Sequence, residues 1–204
     1  MTQVVKLAVL ISGSGRTLQN FIDLIERGEL PARVEVVVSS RADVQGVERA
    51  RRHGRPVEIV PRKNYPSEES FSDAITGILD RYAPDLALLA GFMSFYRIPP
   101  RWLGKVLNIH PALLPRFGGA GMYGHRVHEA VLAAGEKETG CTVHFADNQY
   151  DHGPIVLQRK VPVLPNDTPD SLAERVFREE LSAYPEAVRL FAEGRLNGNP
   201  QGRR

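Results

Sequence analysis

The stretch that decides the fold is VVKLAVLISGSGRTLQN, residues 4–20. Residues 4–12 are almost continuously apolar, as expected of a strand that is buried on both faces of a sheet. Gly13 ends this run, and the apolar residues that follow recur at helical spacing until Gly28. A buried strand, a tight glycine turn and an amphipathic helix together predict the first unit of an α/β fold.

The same alternation continues through the first half of the chain. Strand-like runs at 34–40, 56–60 and 85–92 are separated by helical patterns that end at Gly54 and Pro84. Because this order requires right-handed crossovers, it favours a parallel sheet with helices packed on it. We therefore predict a Rossmann-like, three-layer α/β/α fold with a mostly parallel sheet.

The pattern changes in the second half. A short strand is predicted at 105–110, and a helix follows the Gly-rich segment 117–126. TGCTVHFA (139–146) and PIVLQRKVPVL (154–164) are two strand-like runs with no room for a helix between them, which predicts an antiparallel hairpin. The last pattern, 168–194, predicts a long amphipathic helix that is broken near Pro185.

Composition limits the possible function. Of 204 residues, 42% are hydrophobic and 25% are charged, which is typical of a globular protein. A net charge of +2 without a concentrated basic stripe does not favour nucleic acid binding. No apolar run approaches the roughly 18–20 residues of a membrane span, and no targeting signal precedes the first strand. A single cysteine, Cys141, agrees with a reducing cytoplasm, where we expect the protein to act.

The turn SGSGRT, residues 12–17, has two possible roles. Its glycines and the start of the next helix can present backbone N–H groups to an anion, such as the single phosphate of a sugar phosphate. The same residues can also form an ordinary Gly-rich turn in which Thr17 caps the helix. The pattern is neither a dinucleotide-binding fingerprint nor a P-loop, so it does not imply either ligand.

LNIHPALLP, residues 107–115, places Asn108 and His110 on one side of a strand that Pro111 ends. An amide donor beside an imidazole can stabilise an oxyanion and then move a proton. No suitably spaced serine or cysteine nucleophile accompanies them, which favours direct attack of one substrate on another. A structural Asn and His at a turn remain the alternative.

Asp151 lies in the turn between the two hairpin strands. A carboxylate near an imidazole favours the protonated ring, so Asp151 is expected to raise the pKa of His110 if the two meet. An aspartate in a β-turn is the alternative. A metal site that uses the other histidines is not favoured, because neither a zinc-binding helix motif nor paired cysteines are present, and we expect no metal.

Together, these motifs resemble the folate-dependent formyl transferases, and within that group the glycinamide ribonucleotide formyltransferases. The matching stretches, in the order in which the family has them, are VLISGSGRTLQ, AGFM, LNIHPALLP, TVHF, DHGPIVLQ and KVPV. They extend from residue 9 to about residue 163. Length and the glycine loop select the ribonucleotide enzymes among the formyl transferases and their deformylase relatives.

The resemblance implies transfer of a formyl group from 10-formyltetrahydrofolate, the co-substrate, to the amine of 5'-phosphoribosylglycinamide in purine synthesis. It implies that Asn108, His110 and Asp151 are catalytic. Asn108 and protonated His110 would stabilise the oxyanion, His110 would act as the general acid toward the departing folate nitrogen, and Asp151 would keep His110 charged. Residues implied to bind the ribonucleotide are Gly13, Ser14, Gly15, Arg16, Thr17 and Glu180. Residues implied to bind the folate are Met93, Ser94, Phe95, Tyr96 and Asp147, together with Asn108 and Asp151.

The chain departs from the family pattern in a few places. Glu68 lies where many relatives have a folate-contacting arginine, which Arg62 or Lys63 could replace, and the loop at 117–126 is unusually Gly-rich. A formyltetrahydrofolate deformylase, a formyltransferase with another amine acceptor and a non-catalytic binding module are the alternatives. The deformylases have an extra amino-terminal domain and the formyltransferases that act on aminoacyl-tRNA an extra carboxy-terminal one, and we expect neither here.

No linker or internal repeat interrupts the pattern, so we predict one formyltransferase domain over 1–204. It would comprise a phosphate-binding βαβ half at 1–100, a catalytic and folate-binding half at 101–195 and a polar tail at 196–204. We expect small-molecule substrates, neither nucleic acid nor membrane partners, and a monomer or homodimer.

Overall fold

The computed structural model describes residues 4–196. These residues fall into two compact units, 4–107 with 188–196, and 108–187. The predicted polar tail, apart from Leu196, lies outside the described residues. The single domain over 1–204 stays a prediction.

The first unit contains most of the parallel sheet. Its elements are β1 (Val5–Ile11), α1 (Arg16–Glu26), β2 (Ala32–Ser39), α2 (Gln45–Arg52), β3 (Val57–Ile59), α3 (Glu68–Tyr82) and β4 (Leu86–Leu89), with short 3₁₀ helices at Arg62–Asn64 and Pro100–Trp102. β1 pairs in parallel with both β2 and β4, and β2 pairs in parallel with β3. Val9 and Leu10 of β1 are fully buried, which explains why this strand carries almost no polar residues.

The second unit contains the hairpin. Its elements are β5 (Val106–His110, which begins in the first unit), α4 (His125–Ala133), β6 (Glu138–Phe145), β7 (Ile155–Pro162) and α5 (Pro169–Ala192, which ends in the first unit). β6 and β7 are antiparallel, with a register shift between Val143 and His144. The strand order is β3-β2-β1-β4-β5-β6-β7. The predicted Rossmann-like α/β class with a C-terminal antiparallel hairpin is confirmed.

One local alternative is excluded and one local prediction was wrong. Thr17 is not the cap of α1, because Gly15 occupies the N-cap in a left-handed conformation and Thr17 is buried inside the helix. Helix α5 is not broken at Pro185 but continues through it. A proline inside a helix costs about 3 kcal/mol. The neighbouring side chains of Tyr184 and Ala187 are fully buried, and their packing offsets that cost.

None of the helices within residues 4–196 has both the length and the apolar content that crossing a bilayer would require.

Candidate active site

The second unit brings Asn108, His110 and Asp151 together. Asn108 Nδ2 donates a hydrogen bond to Asp151 Oδ1 over 3.3 Å, and His110 Nδ1 lies 3.3 Å from Asp151 Oδ2. The side chains of His110 and Asp151 are 4% and 9% exposed. One carboxylate therefore contacts both polar side chains of β5 in a nearly dry environment, where electrostatic interactions are strong.

The loop that follows β5 closes this cluster from another side. The Phe117 carbonyl accepts a hydrogen bond from His110 Nε2 over 2.7 Å, and the Gly119 N–H donates to Asp151 Oδ2 over 2.9 Å. A Cβ on Gly118 would lie 2.4 Å from Leu114 Cδ2 and 3.1 Å from the Asp151 Cβ. Glycines thus let the backbone of the Gly-rich segment approach the carboxylate closely.

Burial and charge act on His110 in opposite directions. Burial lowers the pKa of His110, while the Asp151 carboxylate and the Phe117 carbonyl raise it, and the net shift is downward. Asp151 therefore acts on His110 with the predicted sign, while desolvation acts against it and sets the net direction of the shift. The pKa of Asp151 is itself lowered: burial raises it, but the nearby histidines and the Gly119 N–H more than offset that effect. At pH 7 the cluster thus holds an ionised carboxylate and a neutral imidazole.

A second histidine, His144 near the end of β6, belongs to the same cluster. Its Nε2 lies 3.1 Å from Asn108 Nδ2 and 3.7 Å from Asp151 Oδ1. Sequence reasoning considered this residue only as a metal ligand and as part of the TVHF motif. The available signal was position, because His144 lies at the end of a strand, as the other site residues do.

Thr142 and Gln158 brace the loop that carries the site. Thr142 Oγ1 donates to the Ala112 carbonyl over 2.6 Å and accepts from the Leu114 N–H over 3.1 Å. Gln158 Nε2 donates to the Leu114 carbonyl over 3.1 Å and to Thr142 Oγ1 over 2.9 Å. The backbone directly after His110 is therefore held by two strand side chains, which limits how far the imidazole can move.

In the first unit, the glycine loop is held against the start of α2. The Gly13 carbonyl accepts from the Gly46 N–H over 3.1 Å, and Arg49 Nε donates to the Ser14 carbonyl over 3.0 Å. A Cβ on Gly15, whose φ is +69°, would lie 2.5 Å from the Gly46 Cα. The loop therefore depends on Gly15 and Gly46, whose backbones are in close contact. The backbone N–H groups of the loop lie at the start of α1, where an anion can bind. Of the other predicted loop residues, Arg16 is exposed and Thr17 is buried.

We expect Gly15→Ala to destabilise the first unit more than Gly28→Ala does. Both glycines have a left-handed φ, +69° and +72°, but a Cβ on Gly28 would meet nothing within 4 Å. The two variants share the backbone strain, and only Gly15→Ala adds a clash, which costs about 1–3 kcal/mol. Urea unfolding curves measure the difference, and equal midpoints for the two variants would contradict the close-contact explanation.

The segment predicted to contact folate divides into exposed and buried positions. Met93 is 57% exposed, and its N–H donates to Ser12 Oγ over 2.9 Å. Tyr96 is buried, its hydroxyl is hydrogen-bonded to Thr76 over 3.0 Å, and burial raises its pKa to about 12. Tyr96 therefore packs as a core residue. Ser94 and Phe95 are half-buried.

The other predicted binding residues lie in the second unit. Asp147 accepts from the Gln149 N–H over 2.8 Å and lies 2.8 Å from His152 Nδ1, in the turn that also carries Asp151. Glu180 is half-buried on α5, and burial together with its charge raises the pKa of the Cys141 thiol to about 12. Cys141 is thus a protonated thiol in the core at neutral pH. Among residues 4–196, no cluster of three or more His, Cys, Asp or Glu side chains is arranged to hold a metal ion.

Comparisons with known proteins identify the family of this chain. Residues 5–188 match the formyl transferase family. Phosphoribosylglycinamide formyltransferase of Haemophilus influenzae is 40% identical over 193 residues, covering 94% of this chain and 89% of that protein. The trifunctional purine biosynthetic protein adenosine-3 of Homo sapiens is 40% identical over 200 residues, covering 97% of this chain but 19% of that longer protein. Glycinamide ribonucleotide transformylase 1 from Symbiobacterium toebii has a solved structure that matches with a TM-score of 0.87 at 45% identity, covering 94% of this chain and 89% of that chain.

The fold and these matches define an α/β group-transfer enzyme, and the chain belongs to the formyl transferase family. The predicted enzyme class, a formyltransferase, is confirmed. Two of these relatives are named as formyl-transferring enzymes of the glycinamide ribonucleotide, and the third is named as a purine biosynthetic protein.

Proposed function

We propose that this enzyme transfers the formyl group of 10-formyltetrahydrofolate to the amine of 5'-phosphoribosylglycinamide. The single observation that carries the proposal is the buried cluster of Asn108, His110 and Asp151 in a chain of the formyl transferase family. An amide donor and an imidazole that contact the same carboxylate suit acyl transfer between two bound substrates. The acceptor is inferred from the names of the relatives.

Asn108 stabilises the oxyanion that forms when the amine attacks the formyl carbon. Both N–H bonds of its amide are engaged, one with His144 at 3.1 Å and one with Asp151 at 3.3 Å. The longer of these contacts is the one that the amide exchanges for the developing oxyanion. A donor already held in place costs little reorganisation at the moment of reaction.

His110 moves the proton. The attacking amine must lose a proton and the departing folate nitrogen must gain one, so one group that accepts and then donates completes the transfer. His110 is neutral at rest because burial lowers its pKa, yet both ring nitrogens face acceptors, Phe117 O at 2.7 Å and Asp151 Oδ2 at 3.3 Å. A protonated ring can therefore donate to both acceptors. This favours protonation, whereas burial favours the neutral ring, so His110 can take up and release a proton.

The two substrates are held by different groups of residues. The glycine loop, residues 13–17, binds the ribonucleotide phosphate at the start of α1, and Glu180 contacts the ribonucleotide. Met93, Ser94 and the turn that contains Asp147 contact the folate, while Tyr96 supports that segment from the core. The donor is a co-substrate, and no metal enters the proposed reaction.

The proposal is tested with purified protein, 10-formyltetrahydrofolate and 5'-phosphoribosylglycinamide. We expect tetrahydrofolate to form only when both substrates are present, and one formylated ribonucleotide to form per folate consumed. Folate hydrolysis at the same rate without the ribonucleotide would indicate a deformylase. Formylation of an amino sugar or aminoacyl-tRNA, but not of the ribonucleotide, would indicate another acceptor.

We also propose that the enzyme acts in the cytoplasm as a monomer or homodimer.

A further inference from the structure

We propose that His144 is a positioning residue for the formyl transfer proposed above. Its ring carries a proton on Nδ1 and a lone pair on Nε2, and it fixes which edge of the Asn108 amide faces the reacting carbonyl oxygen. This inference rests on the proposed function for its consequence in catalysis, but the geometry that carries it is independent of the substrate.

The tautomer of His144 follows from its two contacts. His144 Nδ1 lies 2.9 Å from the Phe145 carbonyl oxygen, which can only accept a hydrogen bond. Nδ1 must therefore carry a proton. Nε2 lies 3.1 Å from Asn108 Nδ2, an amide nitrogen that also faces the Asp151 carboxylate and can only donate, so Nε2 carries a lone pair. The ring thus donates to the backbone and accepts from the amide.

The same two contacts hold the Asn108 amide in one orientation. Its nitrogen faces two acceptors, the Nε2 lone pair of His144 and the Asp151 carboxylate at 3.3 Å. If the amide were flipped, its oxygen would face both acceptors, leaving two repulsive contacts in a buried cluster. His144 and Asp151 together therefore hold the donor edge in place. His144 keeps that restraint when Asp151 is exchanged for the oxyanion.

The fold provides the geometry that this role requires. The pairing of β6 with β7 shifts register between Val143 and His144, an irregularity of the kind that occurs next to active sites. The Phe145 carbonyl, which accepts from His144, packs against Gly153, where a Cβ would lie 1.8 Å from that oxygen. Since His144 is 1% exposed, water does not compete for its two contacts.

The tautomer is tested directly by NMR on protein labelled with ¹⁵N-histidine. Two-bond ¹H–¹⁵N correlations distinguish a protonated ring nitrogen from one with a lone pair. We expect His144, assigned by its loss in His144→Phe, to be protonated on Nδ1 and unprotonated on Nε2 near neutral pH. The opposite tautomer, or a doubly protonated ring, would overturn the proposal.

The positioning role is tested by a double-mutant cycle with Asn108. We expect His144→Phe to lower kcat about a hundredfold, as small misplacements of a catalytic group do, while the KM for each substrate changes little. In an Asn108→Ala background the same substitution should lower kcat less than about threefold, because its target is gone. Equal losses in both backgrounds would show that His144 does not act through Asn108.

Two further variants separate positioning from damage to the strand. His144→Gln retains an acceptor oxygen and is expected to recover about tenfold of the lost kcat. Thr139→Val is a buried substitution on the same strand, at a hydroxyl that has no hydrogen-bond partner among the described residues, and should leave kcat unchanged. A wild-type enzyme that does not formylate the ribonucleotide would refute the proposed function alone, because the NMR result would still decide the orientation of the amide.

Discussion

His110→Gln is expected to lower kcat about a thousandfold, within the range that general acid–base groups contribute. Glutamine fills part of the same space and can form hydrogen bonds, but it cannot gain and release a proton at neutral pH. The proton of the attacking amine would then have to pass to water, which the 4% exposure of the His110 side chain disfavours. Steady-state rates with both substrates measure the effect, and KM should change far less than kcat.

The matched control is His128→Gln. His128 is also buried in the second unit, and burial lowers its pKa to about 4, so that it stays neutral at the pH of the assay. Its Nδ1 has no hydrogen-bond partner among the described residues, which sets it apart from His110. Comparable losses in the two variants would mean that damage to the fold, not proton transfer, explains the effect at His110.

Asp151→Asn is expected to produce a comparable loss, about a thousandfold in kcat, although it conserves size. One carboxylate oxygen now accepts from Asn108 Nδ2 and the other from the Gly119 N–H. In the variant an NH₂ group replaces one of these oxygens, so two hydrogen-bond donors would face each other at that contact. Loss of the negative charge also removes an interaction that favours protonated His110. Both effects impair the transfer.

The same variant makes a prediction about pH. The Asp151 carboxylate raises the pKa of His110 against the effect of burial, so its loss should lower that pKa further. The limb of the kcat profile that reports His110 should therefore move to lower pH. A shift to higher pH would show that the carboxylate does not act on His110 in the assumed direction.

A second histidine–aspartate contact in the same unit serves as the control. His125 Nδ1 lies 3.3 Å from Asp170 Oδ1, the same separation as in the His110–Asp151 pair, but Asp170 is 88% exposed. Because solvent screens an exposed pair, Asp170→Asn should leave kcat and its pH profile unchanged. The contrast tests whether burial, and not the presence of an aspartate near a histidine, makes Asp151 important.

Much of the fold could be predicted because its signals are local. The apolar run at 4–12, the helical spacing after Gly13 and the short gap between the hairpin strands each reflect neighbouring residues. β1, α1 and the β6–β7 hairpin therefore lie where the patterns placed them. The break predicted at Pro185 was wrong because a local rule was outweighed by the burial of neighbouring side chains, which the sequence does not display.

The sequence predicted which residues belong to the site, but not the protonation or the tautomers of its histidines. Side-chain alternation along a strand placed Asn108 and His110 together, and family motifs added Asp151, yet only the folded chain brings residues 43 positions apart within 3.3 Å. Their roles in catalysis stay predictions for the experiments above. The sign of the His110 pKa shift, the inclusion of His144 and its tautomer depend on burial and on which backbone carbonyls face each ring.

The sequence by itself thus determined the order of strands and helices, the hairpin and the chemical types of the groups at the strand ends, because periodicity and turn chemistry are properties of adjacent residues. The tertiary structure decided which of those groups meet, how deeply they are buried and where their protons lie. Those quantities depend on distance and solvent exclusion between residues far apart in the chain, which only the packed molecule defines.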